Sequence, residues 1–376
     1  MKVLMVGGGT GGHIYPAIAI AQAVQEKVID SQILFVGSEG GIETDIVPRE
    51  RFSLVTIKAR GMLRKFTYRS FSAPFMAIGG IFQSISIIKS FKPDIIVATG
   101  GFVSFPVIIA SFMLRVPVIL HECNTIPGLT TRICKWLASR ITVAFEVTRK
   151  HIKWRKVYYV GNPVRKDVVK AVKSISIQNM GLRQEQKIIL VLGGSQGAIS
   201  INKTIVESMN ELEALNVQVI HVSGERDHEW IKNEIKEGKL FYHLIPYMYN
   251  IWDGLAGADL VISRAGALAI SEITARGLPS ILIPYPYSAE GHQDKNAKIL
   301  EDAGAAVIIK DKELNKAKLI GEVKRILNDK QLYSNMQNAS RNLGKPDAAF
   351  EFVSIITGLL GIDLYARKRK TKKPAA

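Results

Sequence analysis

Short apolar, β-branched runs recur along this chain, separated by stretches whose apolar residues fall at helical spacing. Runs at 2–6, 32–36, 95–98, 116–120, 141–143 and 157–160 predict strands. After residue 164 the pattern restarts, with strands expected at 188–192, 217–222, 241–245, 260–262, 280–283 and 306–308. Alternation of this kind builds parallel sheets with helices on both faces, so an α/β fold with doubly wound sheets is expected. Gly161-Asn162-Pro163 closes the first series and marks the hinge. That gives domains at 1–163 and 164–346.

Two stretches, 70–88 and 95–114, each hold about 20 residues without a charge, long enough to cross a bilayer. The second begins with a β-branched run and then meets Gly100, Gly101 and Pro106, which predicts a buried strand, a turn and a buried helix. The first carries Ser, Gln and Gly throughout and predicts an amphipathic helix. Its flanks are Arg64, Lys65, Arg69, Lys89 and Lys92. An apolar face with basic flanks fits a helix lying on anionic lipid, and equally a helix packed on the core. The start of the chain has too short an apolar run for a signal peptide.

The chain has 376 residues, of which 47% are hydrophobic, enough for two cores. This excludes a disordered or collagen-like chain. Two cysteines, Cys123 and Cys134, exclude a disulfide framework and imply a reducing compartment. The net charge is +17 and is unevenly placed. Residues 1–163 carry 20 basic and 9 acidic residues, residues 164–366 carry 24 of each, and the tail RKRKTKK at 367–373 adds six basic residues. An excess confined to one domain and the tail points to an anionic surface, nucleic acid or acidic membrane. The sequence has no aromatic RNA-binding motif and no helix-turn-helix, which weighs against nucleic acid.

Each half opens with a strand running into glycines, VLMVGGGTGGH at 3–13 and IILVLGGSQGA at 188–198, so the halves read as weak copies of a Rossmann-like unit. Gly7, Gly9 and Gly12 fit G-x-G-x-x-G, whose glycines let a backbone approach phosphate at a helix N-terminus. Alone this suits a dinucleotide enzyme, with Glu39 as the ribose-binding acid. A second such loop suits two phosphorylated ligands meeting in a cleft between the domains. No acidic cluster near the loops offers an obvious magnesium site, and no Cys/His spacing offers a zinc site.

The ordered motifs GGTGGHIYPA (8–17), HECN (121–124), GNPVR (161–165), GGSQGA (193–198), SRAGALAISE (263–272) and HQDKNA (292–297) resemble the MurG family of peptidoglycan glycosyltransferases, over residues 1 to about 360. The resemblance implies the two-domain GT-B architecture. It also implies inverting transfer of N-acetylglucosamine from UDP-GlcNAc to the 4-hydroxyl of the muramyl sugar of lipid I, giving lipid II, on the cytoplasmic face of the membrane. It implies no cofactor and no metal, since helix N-termini and cationic side chains can stabilise departing UDP. In such folds the terminal helix, here about 347–366, returns to the first domain. UDP-GlcNAc, lipid I and an anionic membrane surface are the expected partners, with room for other cell-wall synthesis proteins and none for nucleic acid.

By the same resemblance Thr10, Gly11, Gly12 and Asn124 contact the donor or the acceptor diphosphate, and Arg165 and Ser195 contact the donor. Met248 reads the uracil edge through its backbone. Ala267, Leu268 and Glu272, expected at the start of a helix, form the nucleoside pocket, with Glu272 accepting the ribose hydroxyls. Gln293 and Asn296 lie near the sugar hydroxyls. Two candidates remain for the general base, His13 and Glu122. The family usually has HEQN where this chain has HECN, and Gln where His292 stands.

Overall fold

The computed structural model describes residues 1–59, 68–154, 156–194, 197–235 and 241–363, without the side chains of 68–77. The chain divides into two compact units. One comprises Met1–Arg165 with the segment from Asp347 onward, and the other Lys166–Pro346.

The first unit holds seven strands: β1 Lys2–Val6, β2 Gln32–Ser38, β3 Ser53–Ile57, β4 Ile95–Ala98, β5 Val118–Glu122, β6 Arg140–Val143 and β7 Val157–Tyr159. All pair in parallel, in the order β3-β2-β1-β4-β5-β6-β7. Six were legible as apolar runs. β3 was not, because SLVTI exposes much of its length and owes its place to the ladder with β2. The second unit holds β8 Lys187–Leu192, β9 Val217–Val222, β10 Tyr242–Ile245, β11 Leu260–Ser263, β12 Ser280–Leu282 and β13 Ala306–Ile308. Their order is β10-β9-β8-β11-β12-β13, again all parallel.

Five helices of the first unit bear on its glycine loop and its surface: α1 Gly11–Lys27, α2 Glu43–Arg49, α3 Tyr68–Phe91, α4 Ser104–Met113 and α5 Leu129–Cys134. Segment 95–114 resolves into β4, a turn in which Gly100 and Gly101 take positive φ, and α4. At about 1.5 Å per residue α4 reaches only half-way across a hydrocarbon layer. Among the described residues no helix is long and apolar enough to cross a membrane.

The helix Ala348–Leu360 packs on α1. Phe352 is fully buried and meets the His121 ring edge-on, and Lys27 Nζ lies 4.7 Å from the Phe350 ring centroid. Burying Phe352, Val353 and Ile356 contributes roughly 1.5–3 kcal/mol each, enough to hold the chain's last helix on its first unit.

Candidate functional site

In both sheets the winding direction reverses beside the central strand, between β1 and β4 and between β8 and β11. Strands diverge there, and the backbone beyond their carboxyl ends is left uncovered, which is where open α/β sheets bind ligands. Both glycine loops sit at these points, after β1 and after β8.

In the first unit the two loops at the reversal interlock. Thr99, just after β4, donates its N–H to the Val6 carbonyl and its hydroxyl to the His13 carbonyl (2.7 Å). Gly101 has φ +82°, and a Cβ there would overlap the Gly8 carbonyl. The His13 ring then reaches the Thr99 carbonyl, with Nδ1 at 2.9 Å. A carbonyl only accepts, so Nδ1 carries the proton and Nε2 is the basic nitrogen. Backbone thus fixes the tautomer a general base needs, as a carboxylate does in hydrolase triads. Cys123 donates its thiol to the same carbonyl (3.6 Å), and burial, with the Glu122 charge, pushes that thiol up, so it stays protonated.

Thr10 stands at the N-cap of α1, but its hydroxyl makes no capping bond and faces solvent. Its carbonyl takes the N–H of His13 and Ile14. The Gly11 and Gly12 N–H groups are the first donors of α1, which have no carbonyl within the helix to meet.

Glu122 ends β5 and is buried. Its carboxylate accepts from the Asn124 N–H (3.0 Å), the Gly128 N–H (2.9 Å), the Thr131 hydroxyl (2.6 Å) and the Asn124 amide (3.4 Å). Four donors saturate it, so its geometry is that of an anchor for the loop carrying Asn124. Thr148 adds a bond to the Asn124 carbonyl. His121 lies buried between Thr142 (2.9 Å) and Asn162 (3.1 Å), and burial holds its imidazole down to about 4.

Arg165 departs from the expected boundary. It is the last residue of the first unit's opening segment and is buried there, its guanidinium 4.1 Å from the Tyr15 ring centroid and 3.8 Å from Glu50. The ring face of α1 and the Glu50 charge draw it to that side.

In the second unit Ser195 lies outside the described residues. Gly197 has φ +76° and sits where a Cβ would overlap the Ser223 carbonyl. Asn202, in the helix Ile199–Glu207 that follows the loop, ties that helix to the segment after β9 through Ser223 O and Asp227 (both 2.9 Å). Ala267 and Leu268 open the helix Ala267–Ala275, with Gly266 at its N-cap. Glu272 is not at the start of that helix; it is buried in the second turn. Gln293 accepts the N–H of Ala265 (3.2 Å) and of Tyr285 (2.9 Å), and Asn296 donates to the Ala265 carbonyl (3.2 Å). Both side chains therefore shape the turn into that helix. Met248 turns its sulfur toward Gly254.

Several residues escaped the sequence reading. Thr99, before the expected Gly100-Gly101 turn, completes a second strand-then-glycine signal after β4. Arg264, inside SRAGALAISE, takes the place after β11 that Thr99 takes after β4, donating its N–H to the Leu192 carbonyl. Its guanidinium bonds Ser200 (3.0 Å), Asp311 and the carbonyls of Ile283 (3.1 Å) and Pro284 (3.3 Å). Glu43 lies beneath the first glycine loop. Only the sheet order brings these partners together.

Away from the loops, the first unit exposes Ile78 and Phe82 on α3, Phe112 and Met113 on α4, Leu129 and Ile133 on α5, and Trp136. α3 packs on α4 and α4 on α5. Lys135 Nζ lies 4.8 Å from the Trp136 ring centroid. Ile81, by contrast, packs toward the core. Arg64, Lys65 and the basic tail lie outside the described residues.

Two doubly wound sheets, each with a glycine loop at its reversal point, are the two-domain GT-B architecture. The family model "Glycosyltransferase family 28 N-terminal domain" matches residues 3–143, and "Glycosyltransferase family 28 C-terminal domain" matches residues 188–352. A protein from Desulforamulus reducens named UDP-N-acetylglucosamine--N-acetylmuramyl-(pentapeptide) pyrophosphoryl-undecaprenol N-acetylglucosamine transferase is 38% identical over 96% of this chain and 99% of its own length. One of the same name from Clostridioides difficile is 39% identical over 93% of this chain and 86% of its own. The crystal structure of Acinetobacter baumannii MurG superposes with a TM-score of 0.73 at 25% identity, covering 95% of this chain and 99% of that one. The chain belongs to glycosyltransferase family 28, and within it to the MurG family.

Proposed function

We propose that the chain moves N-acetylglucosamine from UDP-GlcNAc to the 4-hydroxyl of the muramyl sugar of undecaprenyl-pyrophosphoryl-MurNAc-pentapeptide, lipid I, to give lipid II. Identity of 38% over 96% of the chain to a protein named for this transfer supports the substrates. One structural observation carries the chemistry: His13 Nδ1 lies 2.9 Å from the Thr99 carbonyl at the mouth of the first glycine loop, so that in the neutral ring the proton sits on Nδ1 and Nε2 is the basic nitrogen. His13 takes the proton of the acceptor hydroxyl as that oxygen attacks the anomeric carbon, and UDP leaves from the opposite face with inversion. Glu122 orients the Asn124 loop and does not carry the proton.

The acceptor diphosphate is assigned to Thr10, Gly11, Gly12 and Asn124. The donor is assigned to the second unit: diphosphate at 193–198, ribose at Glu272, uracil at the Met248 backbone, and sugar beside Gln293 and Asn296. Helix N-terminal N–H groups stabilise the departing diphosphate. We place the enzyme peripherally on the cytoplasmic face, docked through α3 and the exposed residues of α4, α5 and Trp136. Lys89, Lys92, Arg115 and Arg132 flank that surface and suit anionic headgroups.

The test is transfer from labelled UDP-GlcNAc to a soluble lipid I analogue by wild type, His13→Ala and Glu122→Gln. Wild type transfers. His13→Ala loses transfer yet keeps thermal protection by UDP-GlcNAc. Glu122→Gln loses activity only in step with its melting temperature. Absence of transfer by wild type refutes the reading, and an active His13→Ala beside a stable, inactive Glu122→Gln reassigns the base.

A further inference from the structure

Glu43 is fully buried at the first position of α2, and nothing in the assigned chemistry uses it. One carboxylate oxygen accepts the N–H and the hydroxyl of Ser38 (both 2.7 Å), and the other accepts the N–H of Gly9 (3.1 Å). Its partners among the described residues are N–H and O–H groups rather than a cation. A carboxylate taken out of water this way is costly unless its hydrogen bonds are complete. The surrounding backbone is shaped to complete them. A Cβ on Gly8 would overlap the Glu43 carboxylate, and one on Gly41 would come within 2.5 Å of both its oxygens. Four segments thus converge on one charge: the glycine loop, the end of β2, the Gly40-Gly41 turn and α2.

We propose that Glu43 is the positioning residue of the first glycine loop, and that it selects how an anion binds there. In a dinucleotide-binding turn, the backbone N–H groups and the helix tip share the ligand's pyrophosphate. Here an internal carboxylate holds the Gly9 N–H, so an incoming diphosphate finds its donors one step later, at Thr10, Gly11 and Gly12. The anion sits at the tip of α1, next to His13, and is kept off the base of the loop by the Glu43 charge. This rests on the acceptor assignment above.

Glu43→Gln tests it, because the amide has the same shape and necessarily turns an NH2 group on one of the N–H donors. Hydrogen exchange of the segment 7–12 reads the loop without any substrate. Steady-state kinetics with UDP-GlcNAc and the lipid I analogue read the selection. The variant loses about tenfold protection at 7–12, and the acceptor KM rises about tenfold while the donor KM stays within about twofold, as expected for one charge-assisted hydrogen bond. Unchanged exchange overturns the proposal. So does a fall in melting temperature with both KM values moving together, which is what a purely structural residue gives. If wild type transfers nothing, the substrate reading fails, and exchange at 7–12 alone decides whether Glu43 holds the loop. Should Glu43→Gln not fold, Ser38→Ala, which removes one of the three bonds, gives the same pattern at about threefold.

Discussion

The two reversal points are built alike and do different work. Each has a glycine loop after its central strand, and each has a residue just past the neighbouring strand whose N–H returns to that central strand: Thr99 to Val6, Arg264 to Leu192. At the first point that residue is small and neutral. Its hydroxyl and carbonyl grip His13, which is left with a basic nitrogen. At the second it is a cation, and its guanidinium is spent on Ser200, Asp311 and two strand-end carbonyls. The braces beneath differ as well. A buried carboxylate bonds the first loop itself, while beside the second the neutral amide of Asn202, in the helix after the loop, bonds the Ser223 carbonyl. One topology therefore holds a histidine beside the loop in the first unit and a braced arginine beside it in the second, which suits the proposed proton transfer at one and donor binding at the other. Duplication of a fold sets where ligands meet backbone; the one residue beyond each strand sets the chemistry.

The comparison breaks most sharply at His13. His13→Ala lowers kcat roughly 10²- to 10⁴-fold and leaves UDP-GlcNAc protection in place, measured by single-turnover transfer and thermal shift. Equal loss of donor protection would mean that the two points are not separable. Arg264→Ala does the converse. It takes the cation away from Asp311 and Ser200, which keep their bond to each other (2.7 Å), lowers the stability of the second unit by about 1–3 kcal/mol in urea unfolding, and weakens UDP about tenfold. The acceptor KM does not move.

A buried histidine lies at the end of a strand in each unit, and together they sharpen the comparison through pH. Burial holds His121 down to about 4 and His221 to about 3, both well below the ordinary value of 6.5. The unfolded chain binds these protons first, so stability is full above pH 6.5 and falls as pH drops toward 4. Between pH 7 and 5 each site contributes about 1–2 kcal/mol of that loss. His121→Gln should flatten the urea midpoint against pH by its share and leave the His221 share standing; an unchanged slope contradicts the assignment.

The smallest effect concerns the surfaces. Ile78→Ser with Phe82→Ser, both exposed on α3, reduces binding to anionic vesicles about fivefold without lowering the melting temperature. Val172→Ser with Ile175→Ser, exposed in the second unit, is the matched control and leaves vesicle binding unchanged. Ile81 is unsuitable for this test, because it packs on the core and its loss would destabilise the fold.

Legibility followed the range of the forces. Strands buried on both faces read directly as apolar runs, and twelve of the thirteen strands among the described residues were visible that way. β3 was missed because its pairing, not its composition, makes it a strand. The glycine loops and the helix after each were legible because strand, glycine and helix cap are neighbours in the chain. Glu272 and Gln293 were named from their motifs, but their surroundings were not. Glu272 turned out to lie a turn further into its helix, and Gln293 to be committed to the Ala265 and Tyr285 backbone.

The sequence by itself determined two parallel-sheet units, the two loops, the histidine beside the first and the uneven charge, since periodicity, glycine and net charge act locally or sum along the chain. Tertiary structure decided which groups those loops would meet. Thr99 reaches His13 across 86 residues, Glu43 reaches Gly9 across 34 and Arg264 reaches Asp311 across 47. Arg165, just past the hinge in sequence, is drawn back to Tyr15 in the first unit. Hydrogen bonds and buried charges are satisfied by whatever the sheet order brings alongside, and no local pattern records that order.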